Sequence, residues 1–148
     1  MTKNIVDLLI KVRDEIQPPK KDGTNPHFRS KYVTLEGCID SVTEPLHKHG
    51  FFLSQQVGTN DLGSFVSTIL YHKDFPEWEV SSNVPLVLAK NDMQGMGSAI
   101  TYARRYGIMS LLNIPAEDDD GNEASRSSGP PKGQAQSGEE SKNVKPDW

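Results

Sequence analysis

Two adjacent arginines, Arg104 and Arg105, interrupt a stretch of small, apolar and aromatic residues, Gly97-Ser98-Ala99-Ile100-Thr101-Tyr102-Ala103-Arg104-Arg105-Tyr106-Gly107. Arginine offers a planar fork of donors that matches phosphate or carboxylate, and a tyrosine ring offers a face for stacking. A second cluster lies upstream. Lys20, Lys21, Arg29 and Lys31 have only Asp22 against them within positions 20–31, and Phe28 and Tyr32 lie among or beside them. Such residues grip a polyanion by its backbone rather than making or breaking bonds. Each has a plainer use as well. The arginines suit ion pairs with acidic residues of a neighbouring helix, the basic segment suits a solvated loop, and Phe28 and Tyr106 suit packing.

Other chemistry finds little support. Glu117-Asp118-Asp119-Asp120-Gly121 lacks the alternating ligand spacing of a calcium loop and has no second carboxylate cluster beside it, so it reads as a solvated acidic run. His27, His47, His49 and His72 match no metal-ligand spacing, and no metal site is expected. Gly95-Met96-Gly97 lacks the Lys-Ser/Thr of a phosphate loop and the third glycine of a dinucleotide fingerprint, so no nucleotide cofactor is expected. Cys38 stands alone, which excludes an intrachain disulfide, and its apolar helical surroundings suggest a small buried thiol. No nucleophile–base pair stands out, and the reading is of a non-enzyme.

The elements that must position the arginines follow from periodicity. Ile5, Leu8, Leu9, Val12 and Ile16 recur at helical spacing, predicting an amphipathic helix over 4–16 that Pro18-Pro19 ends. Residues 17–31 read as a basic loop. Thr34 suits an N-cap, Leu35, Ile39, Val42 and Leu46 form a second helical stripe, and Gly50 stops it. Three strands are expected over 51–57, 64–72 and 77–86, joined by turns too short for crossovers, hence an antiparallel meander. A long helix over 93–112, capped by Asp92, carries the arginines. The order α-α-β-β-β-α defines an α+β domain with helices on one face of a three-stranded antiparallel sheet.

On that last helix, Met96, Ile100, Ala103, Gly107 and Leu111 form the stripe expected to face the core. Gly95, Ser98, Tyr102, Arg105 and Met109 fall on the far side, where a surface helix would carry Lys, Glu or Gln. Small and aromatic residues there suggest a second packing partner, another copy of the chain. Gly95, Ser98, Tyr102 and Met109 are then the expected oligomer contacts.

The net charge of −4 is unevenly placed: residues 1–116 hold twelve basic and twelve acidic residues, whereas 117–148 hold four and eight. The folded part is therefore neutral, and an acidic whole chain does not argue against a nucleic-acid partner. Residues 1–116 read as one domain and 117–148, poor in apolar residues, as a disordered acidic tail. No apolar run has the length to cross a bilayer and the N-terminus lacks a signal-peptide layout, so a cytoplasmic location is expected and no membrane partner.

The 97–107 stretch, with Ile114-Pro115-Ala116-Glu117-Asp118-Asp119-Asp120-Gly121, Asn25-Pro26-His27-Phe28-Arg29-Ser30-Lys31-Tyr32 and Leu46-His47-Lys48-His49-Gly50, resembles the Erf (essential recombination function) family of phage single-strand annealing proteins. The likeness spans roughly residues 1–121. It implies the core fold of eukaryotic-type annealing proteins, and ATP-independent binding and annealing of single-stranded DNA in phage recombination within a bacterial host cytoplasm. It also implies assembly as a homo-oligomeric ring or helical filament. Lys20, Lys21, Arg29, Lys31, Tyr32, Tyr102, Arg104 and Arg105 are then the expected single-stranded DNA contacts. A phage exonuclease and a host single-strand binding protein are candidate protein partners. Two other readings stay open at this point: an oligomeric protein-interaction scaffold whose arginines bridge subunits, and a small metal-dependent nuclease built on the Asp118–Asp120 run.

Overall fold

The computed structural model describes residues 3–24 and 31–115. Helix α1 spans Ile5–Glu15, with the Asn4 side chain accepting from Val6 N at its start. Helix α2 spans Leu35–Lys48, and Thr34 caps it by accepting from Gly37 N, satisfying one of the donors that a helix start leaves open. Pro45 stands inside its last turn and is buried. Gly50 then reverses the chain at φ 86, a backbone region that side chains disfavour. Helix α3 spans Met93–Leu111, and Asp92 accepts from Gly95 N.

Between α2 and α3 run β3 (Phe51–Asn60), β4 (Gly63–His72) and β5 (Glu79–Pro85). They form one antiparallel sheet in the order β3-β4-β5, with Phe51 opposite His72 and Leu70 opposite Val80. This is the expected meander. The segment 17–31, expected as a loop, instead contains two short strands, β1 (Gly23–Thr24) and β2 (Lys31–Tyr32), paired antiparallel. Two-residue strands carry no periodicity for a sequence reading to detect.

Alternation along β4 buries Val66, Thr68, Leu70 and His72 against the helices. Val12, Ile16, Cys38, Val42, Leu46, Phe51, Ile108 and Met109 complete the core, and Cys38 is the expected buried thiol. The core closes on Ile114, whose N–H donates to Met109 O at 2.8 Å. His72 is buried and has a settled tautomer. Its Nδ1 accepts from Asp74 N at 3.1 Å, so Nε2 carries the proton and donates to His49 O at 2.7 Å. The acidic run Glu117–Asp120 lies outside the described residues. Among those described, no helix is long and apolar enough to cross a membrane.

Candidate nucleic-acid interface

Helix α3 is packed on more sides than one stripe allows. Ala103 and Gly107 face the sheet, and a Cβ on Gly107 would collide with Thr68 Oγ1. Close approach of helix and sheet is therefore built on the missing side chain. One residue further round, Arg104 reaches β3. Its Nε donates to Gln55 Oε1 at 2.9 Å, and Gln55 Nε2 donates back to Arg104 O and to Thr68 Oγ1, both at 2.9 Å. Arginine can only donate, so this network fixes the orientation of the Gln55 amide. The guanidinium is held by one edge, and among the described residues its Nη atoms meet no acceptor. Arg104 and Gln55 border a cavity of about 180 Å³ between α2, β3 and α3, floored by Val42, Leu46, Leu53 and Ile108.

Arg105 turns the other way. Its Nη1 donates to Val33 O at 2.9 Å, and its Cζ lies 5.1, 5.4 and 5.3 Å from the ring centres of Tyr32, Tyr102 and Tyr106. Tyr102 and Tyr106 lean on each other at 4.4 Å, while a Cβ on Gly23 would run into the Tyr32 ring. The order Gly23, Tyr32, Arg105, Tyr102 therefore reads as a stack joining the β1–β2 ribbon to α3, with cation–π attraction at its centre. Asp22, the one acid of the basic segment, accepts from Thr34 Oγ1 at 2.9 Å, fixing the ribbon to the start of α2. Lys20, Lys21 and Lys31 are exposed around this ribbon, and Tyr102 keeps 56% of its surface.

The structure thus brings Lys31, Tyr32, Tyr102 and Arg105 together, and separates Arg104 onto the opposite flank of α3. Among the described residues neither arginine pairs with a carboxylate. Arg29 and Phe28 lie outside the described residues. Tyr106 takes the packing role that the sequence suggested.

The outward face expected on α3 needs correction. Met109 is 3% exposed and belongs to the core, because the C-terminal half of the helix lies among α1, α2 and the segment after it rather than against the sheet alone. A core residue cannot form an oligomer contact. Gly95 is small for an internal reason: a Cβ there would strike the Lys90 carbonyl. Ser98 and Tyr102 remain exposed. Sequence reasoning also missed Gln55 and Thr68. Their signal was available, since both are polar residues at inward positions of alternating strands, where burial demands a partner.

Other groups have structural explanations. Lys3 donates to Asp74 at 3.1 Å and holds that carboxyl below the usual range, and His49 and then Lys48 do the same for Glu15. No group of three His, Cys, Asp or Glu capable of holding a metal occurs among the described residues. The family model of the ERF superfamily matches residues 5–146. No curated protein and no solved structure matches the chain.

Proposed function

The chain belongs to the ERF superfamily, and from that premise and the geometry of α3 we propose that it binds single-stranded DNA and anneals complementary strands without ATP in phage recombination. The observation that carries this reading is the state of Arg104. It is clamped through Nε by Gln55, and among the described residues its Nη atoms meet no acceptor and it pairs with no carboxylate. A half-buried guanidinium pre-set in this way suits a phosphate, because the ordering cost is met before the ligand arrives.

The other residues take distinct parts in the proposal. Lys20, Lys21 and Lys31 add exposed positive charge along the ribbon, with Arg29 in the connecting segment. Tyr102 supplies an exposed ring for base stacking. Arg105 braces Tyr32 and Val33 and so sets the ribbon against the helix. Annealing requires backbone contacts that leave base edges open for the incoming strand, and these residue types fit that requirement. Residues 1–116 form the binding domain in this reading, with the acidic 117–148 segment as its appendage. Several copies in a ring or filament would align their sites, and multivalency along the strand would turn weak contacts into stable binding.

The scaffold reading requires the arginines to bridge acids, and the nuclease reading rests on carboxylates outside the described residues. The deciding experiment is annealing of complementary oligonucleotides without ATP, comparing wild type with Arg104→Ala. Annealing by wild type that the variant loses supports the proposal. Degradation of the strands in Mg²⁺, or no salt-sensitive oligonucleotide binding at all, overturns it.

A further inference from the structure

The sheet order β3-β4-β5 leaves one edge of β3 and one edge of β5 without a strand partner among the described residues. The β3 edge lacks the usual protection of a strand edge. Phe51–Asn60 runs for ten residues without a charge or a proline, and its register against β4 is unbroken from Phe51–His72 to Asn60–Gly63. No bulge turns it aside. Exposed edges are normally blunted by Lys, Pro, a bulge or a cover, because unpaired N–H and C=O groups recruit further strands. The outer half of β3 has no Lys, Pro or bulge, and no strand covers its free edge among the described residues. Gln56, Val57, Thr59 and Asn60 are exposed, Val57 at 56%, and Leu62 on the adjoining turn is 97% exposed.

We propose that the β3 edge of one copy pairs with the β5 edge of the next, carrying a continuous sheet through the assembly. This rests on the oligomeric part of the function proposed above, and not on its DNA part. The occupant follows from the chain itself: Glu79–Pro85 is the other edge of the same sheet without a strand partner among the described residues, and its one charge, Glu79, and one proline, Pro85, stand at its two ends, leaving Val80–Val84 between them. Joining two different edges is a head-to-tail contact, which repeats into a ring or filament, whereas β3 pairing with β3 would stop at a two-fold dimer. Helix α3 offers less to a neighbouring copy, since Met109 is in the core and the bareness of Gly95 serves Lys90.

Lysines placed on each edge test this in the full chain. Gln56→Lys/Thr59→Lys and Ser81→Lys/Asn83→Lys alter exposed side chains only, and thermal unfolding checks that each folds. Light scattering should find wild type assembled and each variant monomeric. An equimolar mixture should recover a dimer, because one intact β3 edge then meets one intact β5 edge. If a double variant melts below wild type, Gln56→Lys and Asn83→Lys singly give the same readout. A monomeric wild type, variants with wild-type mass, or a mixture that stays monomeric would each overturn the proposal. So would disassembly by Ser98→Lys with the edge variants still assembled. Arg104→Ala separates the two proposals, since it should keep wild-type mass while losing oligonucleotide binding. Assembled protein that binds no oligonucleotide refutes the DNA reading alone.

Discussion

Replacing each arginine in turn should produce two different defects. Arg105→Ala removes a charged donor from Val33 O and the cation shared by three tyrosine rings. A hydrogen bond involving a charged group contributes about 1.5–3 kcal/mol, and an exposed cation–π contact about 0.5–1 kcal/mol. These contributions overlap in one side chain, so the expected loss is about 2–3 kcal/mol rather than their sum. For a domain of this size that corresponds to a fall of roughly 10 °C in melting temperature. Arg105→Lys should fall between, because lysine keeps the charge but not the fork. Arg104→Ala also removes one hydrogen bond from a charged donor but no contact with the tyrosine rings, so its melting temperature should fall by less. Binding to a short labelled oligonucleotide, followed by anisotropy well below either melting point, should reverse the order. Arg104→Ala loses about tenfold or more, and the slope of log affinity against log salt drops by about 0.7 for each phosphate contact removed. Arg105→Ala should bind nearly as wild type while folded. If Arg105→Ala melts like wild type and loses as much affinity as Arg104→Ala, the assignment of Arg105 as a brace is wrong.

Three further outcomes follow from the same geometry. Gln55→Met preserves shape but strips Arg104 Nε and the fully buried Thr68 of their partner, so stability should fall by about 1–3 kcal/mol in urea denaturation, with weaker oligonucleotide binding. Gly107→Ala drives a methyl into Thr68, and overpacking of that kind costs about 1–3 kcal/mol; Thr68→Ala in the same chain should return part of the loss. The Lys3 ion pair depresses the Asp74 carboxyl in the folded protein. Its stabilisation is therefore present above the ordinary aspartate range and fades as pH falls through the lowered value. Denaturation midpoints should record a small acid-side loss that Asp74→Asn abolishes and that high salt reduces, since the pair is exposed.

Much of this protein was legible in its residues because the signals were local. Thr34 and Asp92 mark helix starts through short side-chain oxygens, Gly50 marks a left-handed turn, and alternation or helical spacing reveals which side of each element is apolar. Those signals lie within a few positions of the structure they create, so three helices and a meander could be read in order. The fate of the two arginines could not. They are neighbours in the chain, yet Gln55 lies 49 positions from Arg104 and Val33 72 positions from Arg105, and the tertiary fold alone decides which helix flank meets which. Met109 was misplaced for the same reason, since helical periodicity indicates a face but not how many neighbours surround it. Residue type determined that α3 carries two donors whose geometry suits phosphate; the packing of α3 against β3 on one side and the β1–β2 ribbon on the other decided that Arg105 is engaged by Val33 O and three tyrosine rings, whereas Arg104 is held through Nε alone among the described residues.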